Sequence, residues 1–304
     1  MTIKTQLLNE IDTLSPSLLQ EVMGFIEYLK FKQNKNIDKN KFFAETSLAN
    51  GWNTPPILEF DPDRDAFIRP EKLLKPLDIS ERAVFCFFSD AIEKVLAEFP
   101  HKIVAHLRGE GLTVPVYELE YNGEKIVLAQ AIVGAPWAAG HIEEMTAYGC
   151  RKYIACGGCG VLQNDIAVGH LIIPAYAVRD EGTSYHYAPP SREMAMSKHA
   201  IGTIESVLNE RKVPFIKGKT WTTDAFFREA PAKIARRKEE GCIAVDMEAS
   251  AFMAVAQYNN VEFGQILYAG DNLGGDEWDN RGWVERTDIR ELVLKIALDV
   301  CLKL

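Results

Sequence analysis

From residue 83 onward, apolar runs of strand length alternate with segments whose apolar residues recur at helical spacing, and this alternation leaves few architectures open. The strand-like runs cover 83–88, 102–107, 115–121, 125–133, 152–156, 168–175, 213–217, 242–245 and 264–269. The helical segments cover 90–99, 137–149, 191–210, 226–240, 247–259 and 285–303. Asn122-Gly123, set between two alternating runs, predicts a tight antiparallel hairpin over 115–133. The pattern predicts an α/β fold of three layers, helices on both faces of a mixed central sheet. In such sheets ligands bind at the carboxyl ends of strands.

The first 36 residues follow another rule. Ile3, Leu7, Leu8 and Ile11 share one helical face. Ser15-Pro16 opens a second helix, with Leu18, Leu19, Val22, Phe25, Ile26 and Leu29 at helical spacing. A hairpin over 1–36 is too small to bury both stripes by itself. It is expected to pack on the main domain, on a copy of itself or on another protein, as an interaction module. Residues 37–54 are polar and aperiodic and read as a linker, and the main domain is expected over 55–304.

Hydrophobic residues make up 47% of the 304-residue chain, enough for a large core. The net charge of −9 argues against nucleic acid as a partner, because phosphate backbones call for a basic surface. The apolar runs are too short to cross a bilayer, and the charged start MTIKTQLLNE lacks the apolar run of a signal peptide, so no membrane partner and a cytoplasmic location are expected. The cysteines sit mostly within apolar runs and are expected as reduced, buried thiols.

Five motifs carry the chemistry. CGGCG at 156–160 follows an apolar strand, and its glycines permit close approach of a ligand to the backbone; a plain tight turn is the competing reading, and a Cys156/Cys159 metal or redox pair has no second set of ligands to support it. AVRDEGTSYHYAPP at 177–190 crowds Arg179, Asp180, Glu181, His186 and Tyr187 into one polar loop, substrate-facing or merely solvated. WTTDAFFRE at 221–229 offers Trp221, Phe226 and Phe227 as flat surfaces for a base, or as core. AVDMEAS at 244–250 sets Asp246 and Glu248 at a strand-to-helix junction, placed to accept hydrogen bonds from sugar hydroxyls; a helix N-cap is the alternative for Asp246. LYAGDNLGG at 267–275 puts Asp271 at a strand end before glycines, a place for a general acid or for an Asx turn.

In this order the motifs resemble the nucleoside phosphorylase superfamily, in particular its uridine phosphorylase-like and bacterial purine nucleoside phosphorylase-like members, over 55–304. GGCG at 157–160 resembles the family's G-S/T-x-G phosphate loop, which implies phosphate over Gly157 and Gly158 and substrate beside Gly158 and Cys159. VDMEAS at 245–250 resembles its ribose-binding signature, with Met247 and Glu248 matching and Asp246 beside them. GDN at 270–272 places Asp271 on the residue that protonates a leaving purine. Phe226 falls on the aromatic residue that packs against the base, and Arg108 near the arginine that a neighbouring subunit lends to the phosphate site. Arg179 is a further counter-charge.

The resemblance implies cleavage of an N-glycosidic bond, with purine nucleosides favoured over uridine. Inorganic phosphate is the co-substrate, no metal or organic cofactor is needed, and the chain is expected to assemble as a homo-oligomer, a dimer or hexamer. The departures are specific. FFSDAI at 87–92 stands where the family carries G-D-P-x-R, Ala155 stands where a second arginine precedes the phosphate loop, and Gly158 replaces its Ser/Thr. Three phosphate contacts are thereby missing, which keeps water open as the nucleophile. A non-catalytic nucleoside sensor is the alternative of another class.

Overall fold

The structure, a computed structural model, describes residues 55–304. The chain divides into two units, Met1–Glu59 and Phe60–Leu304. Of the first, the described part holds one 3-10 turn, Pro56–Leu58. The hairpin expected over 1–36 and the linker over 37–54 lie outside the described residues.

The second unit, after a four-residue helical turn at Pro70–Leu73, runs β1 (Arg82–Cys86), α1 (Ser89–Glu98), β2 (His101–Gly109), β3 (Leu112–Tyr121), β4 (Glu124–Gln130), α2 (Ala135–Tyr148), β5 (Lys152–Val161), β6 (Leu171–Asp180), β7 (Glu193–Ala195), α3 (Lys198–Glu210), β8 (Phe215–Thr223), α4 (Pro231–Glu239), β9 (Cys242–Asp246), α5 (Ala249–Asn259), β10 (Glu262–Asn272) and α6 (Thr287–Lys303). The ten strands form one mixed sheet in the order β10-β6-β8-β9-β5-β1-β4-β3-β2, with β7 added to β6. β10 also pairs with β5, so five of the strands close on themselves. The expected three-layer α/β architecture is present. α2 and α5 pack together on one face, where Phe85 stacks near His141, Tyr153 and Phe252. α6 packs with α1 and α3 on the other, where Ala200 and Ile204 crowd Gly264.

β1, β4 and the start of β5 are buried on both faces, as strands covered by helices on each side must be. Each fully buried Phe or Ile there contributes about 1.5–3 kcal/mol relative to leaving it in water. The predicted hairpin is formed: β3 and β4 pair antiparallel through Tyr121↔Glu124, and Asn122 and Gly123 both take positive φ, 52° and 80°. All six cysteines are free and buried.

Two expected helices are shorter than their apolar pattern. The segment 191–197 forms β7 and a cap instead of helix, because β6 offers a free edge and the Ser197 hydroxyl accepts the Ala200 N–H. In 226–240, Pro231 forces Ala230 into extended backbone (φ −71°, ψ 149°), which separates a 3-10 turn at Phe226–Arg228 from α4. Conversely β5, β6, β8 and β10 extend several residues past their predicted ends, through the motifs read as loops. The reason is the closure of the sheet: the tip of β5 turns to pair with β9 through Gly160↔Val245 and Val161↔Ala244, which gives later residues new partners.

Candidate active site

The glycines of β5 make that turn possible. A Cβ on Gly157 would lie 2.8 Å from the Phe87 ring, and one on Gly160 would lie 2.6 Å from Leu273 and 2.9 Å from Val245. Only hydrogen fits at either place. The strand also sorts its own backbone groups. Cys156 turns its carbonyl toward β1, where it accepts the Phe87 N–H at 3.1 Å. By strand alternation Gly158 turns its N–H and C=O to that same side, past the point where β1 has ended and α1 begun. Gly157 faces the β10 ladder instead. Gly157 and Gly158, both expected to face phosphate, thus turn their backbone groups to opposite sides of β5.

Cys159, expected beside substrate, is packed against β10. Its thiol donates to the Tyr268 carbonyl at 3.5 Å, and burial, with the charges of Asp246 and Asp271 nearby, pushes it well above the ordinary thiol range. It is a packed, neutral group. Cys156 and Cys159, three apart on a strand, point to opposite faces.

The β9–α5 junction brings Asp246, Met247 and Glu248 together. Asp246 is buried and has four donors on its carboxylate. Oδ1 accepts from the Thr220 and Thr222 hydroxyls at 2.9 and 3.1 Å, and Oδ2 from the backbone N–H groups of Glu248 and Ala249 at 2.9 and 2.6 Å. It caps the start of α5 and ties it to β8, the N-terminal capping role that was the alternative to sugar binding for Asp246. Met247 is half-buried. Glu248 is buried, and its Oε1 accepts the N–H of Gly134 at 2.7 Å. Gly134 precedes α2 at φ 113°, a conformation open to glycine. The hydrogen bond thus joins the first turns of α2 and α5. Burial, then the neighbouring Asp246 charge, pushes the Glu248 carboxyl up to about 8.

Asp271 lies within an irregularity of β10 that shifts its register between Ala269 and Asn272. Its Oδ1 lies 3.4 Å from the Cβ position of Gly160, and its Oδ2 accepts the Trp278 indole N–H at 2.7 Å. Glu229, two residues before α4, feels the Asp271 charge; burial first and that charge second push it up to about 7. Phe226 and Phe227, on the 3-10 turn leading to Glu229, are exposed with ring centroids 4.0 Å apart. The tip of β5 is thus flanked by Asp271 and, through Val245, by the Asp246–Glu248 junction.

Arg179 does not join this group. It is buried, and its guanidinium donates to Ser184 Oγ (2.8 Å), the Pro189 carbonyl (2.7 Å), Ser191 Oγ (2.8 Å) and the Ala188 carbonyl (3.1 Å), lying 4.0 Å over the Tyr185 ring. Glu181 accepts the Ser184 N–H and the Ser250 hydroxyl, both at 2.9 Å, which fastens the same loop to α5. The loop of 180–191 is held together by the very groups expected to hold substrate, with Arg179, expected as a phosphate ligand, acting as its clasp. Arg108 is exposed on β2 near the β2–β3 tip, where Gly109 abuts Trp137 of α2. Gly134, Glu229 and Trp278 were not singled out from the sequence. The glycine before Ala135-Pro136, at a strand-to-helix junction, is the one signal that pointed there.

Known proteins share this arrangement of elements. Uridine phosphorylase from Vibrio fischeri superimposes with a TM-score of 0.64 at 21% identity, covering 80% of this chain and 100% of that one. AMP nucleosidase from Bacteroides thetaiotaomicron gives 0.60 at 22% identity, over 74% of this chain and 89% of that one. Guanosine phosphorylase from Halorubrum lacusprofundi is 26% identical over 170 residues, 54% of this chain and 70% of that protein. The phosphorylase superfamily model matches residues 81–300, and the chain belongs to that family of nucleoside phosphorylases and nucleosidases.

Proposed function

We propose that this protein cleaves the N-glycosidic bond of purine nucleosides, with inorganic phosphate as the acceptor of the sugar. What supports this reading is Asp271 at the end of β10, with Oδ1 3.4 Å from the Cβ position of Gly160 at the glycine-rich tip of β5, together with Glu248, three residues past the Val245 that pairs with Gly160.

In this reading the bond from C1′ to the base breaks with its electron pair leaving on the base. Asp271 delivers a proton to N7 of the purine as that charge develops. Glu248, with Met247 beside it, orients the ribose hydroxyls, and Phe226 covers the base. Asp246 and Cys159 hold the frame from behind. A phosphate oxygen forms the new bond to C1′, held by the Gly158 N–H and by the N-termini of α1 and α2 beyond β1 and β4. Arg108, exposed on its hairpin, supplies a counter-charge to the site of a second copy, which makes the active form a homo-oligomer.

Hydrolysis is the second reading, and one observation favours it. Four N–H groups of Arg179 donate within its own loop, so this arginine is drawn away from an anion. Water needs no arginine. The test is product analysis on inosine, guanosine, adenosine and uridine, with and without phosphate. Phosphate-dependent release of purine with ribose 1-phosphate is expected. Free ribose without phosphate would establish the second reading, and no base from any nucleoside would remove both.

A further inference from the structure

The segment after β10 returns on itself. Asn272 and Asp279 exchange both backbone hydrogen bonds, Asn272 N–H to the Asp279 carbonyl at 2.8 Å and Asp279 N–H to the Asn272 carbonyl at 3.0 Å. The Asn272 side chain fastens the same loop twice more, accepting the Gly274 N–H at 2.9 Å and donating to Asn164 Oδ1 at 2.9 Å. Gly274 sits so close to the Leu162 carbonyl that a Cβ there would lie 2.6 Å from its oxygen. The residue just inside this clasp, Trp278, is 61% exposed, so burial of its ring does not explain its placement. Its indole N–H reaches back 2.7 Å to Asp271 Oδ2.

The two oxygens of Asp271 are therefore not equivalent. An indole N–H donates and cannot accept, so Oδ2 cannot carry a proton on the lone pair that Trp278 holds. Oδ1 lies against Gly160, on the β5 side. We propose that Trp278 is a positioning residue that makes Oδ1 the proton-bearing oxygen of Asp271 and stabilises the carboxylate left once that proton has moved to the base. The inference rests on Asp271 as the general acid. In the step, the O–H bond at Oδ1 breaks, the N–H bond at N7 forms, and the C1′–N bond breaks with its electrons on the base. The negative charge left on Asp271 then accepts a charge-assisted bond from Trp278, stronger in the transition state than before it. The loop clasp keeps the indole in place beforehand, so no reorganisation accompanies the step.

The test compares Trp278→Phe, which keeps an aromatic ring and removes the N–H, with Asp271→Asn. Both are assayed on guanosine and on 7-methylguanosine, whose N7 is already substituted and whose base leaves without a proton. Trp278→Phe is expected to lower kcat on guanosine on the order of 10-fold with KM within about 3-fold, and to leave 7-methylguanosine turnover within about 3-fold. A loss confined to KM, an equal loss on both substrates, or an unchanged kcat on guanosine would each overturn the role of Trp278. If Asp271→Asn cleaves guanosine at the wild-type rate, the reading of Asp271 itself fails. If that variant is impaired while Trp278→Phe is not, only the present inference fails.

Discussion

Glu248 and Gly134, 114 residues apart, meet in a 2.7 Å hydrogen bond from the Gly134 N–H to the Glu248 carboxyl. The contact joins the first turns of α2 and α5 above the ends of β4 and β9. It also places a carboxyl group where burial and Asp246 oppose its ionisation. The stability of the fold therefore depends on pH through this position.

The sign of that dependence follows from its carboxyl, about 8 in the folded chain against 4.5 as a free side chain. Between these values the folded state holds the proton and the unfolded state does not. Stability from this group is complete below about pH 4.5, falls as pH rises through about 8, and is level above, a span of at most on the order of 5 kcal/mol. Glu248→Gln is expected to flatten this part of the Tm-against-pH curve and to melt above the wild type at pH 8–9. Glu248→Ala is expected to lower kcat/KM by about 2–4 kcal/mol while the protein stays folded. Near wild-type turnover in that variant would make Glu248 a purely structural residue.

Asp271→Asn keeps the shape and the acceptor for Trp278 but removes the acid. Purine nucleoside cleavage is expected to fall by about 100-fold or more. The measurement is kcat/KM on adenosine, guanosine, inosine and uridine for both proteins. Uridine as the best wild-type substrate, or an unimpaired variant, contradicts the assignment.

Arg179→Ala separates a clasp from an anion ligand. It leaves two hydroxyls and two carbonyls without their donor and uncovers Tyr185, at a cost of about 2–4 kcal/mol. Tm should drop, and the KM for phosphate of the folded fraction should hold. An intact Tm with a phosphate KM raised 10-fold would return Arg179 to the site.

Gly160→Ala pushes a methyl into Leu273 and Val245 and against Asp271 Oδ1. We expect a loss of about 1–3 kcal/mol in stability and a larger proportional loss of activity, because the displaced atom belongs to the acid. Gly111→Ala, with nothing within 4 Å of its Cβ position, serves as the neutral comparison by thermal melt and turnover. Equal behaviour of the two variants would mean that the tip of β5 yields without moving Asp271.

The amino-acid sequence alone determined the layer architecture and most element positions, because burying apolar residues at period 2 or 3.6 is a local requirement that each segment states for itself. It likewise drew attention to Glu248 and Asp271 as candidates, since a carboxyl group at a strand end stands out against apolar neighbours. What only the tertiary structure decided is which polar groups remain available. Arg179 and Asp246 look as ready for a ligand in the sequence as Glu248 does, but four of the five N–H donors of Arg179 go to Ser184, Pro189, Ser191 and Ala188, and Asp246 accepts from Thr220, Thr222 and the α5 backbone. Gly157 and Gly158 read alike until strand pairing turns one N–H into the ladder and the other to the crevice. Trp278 reaches Asp271 because the adjoining pair of backbone hydrogen bonds between Asn272 and Asp279 closes its loop. A buried polar group must be satisfied, and which partner satisfies it is a property of the folded chain, not of its order.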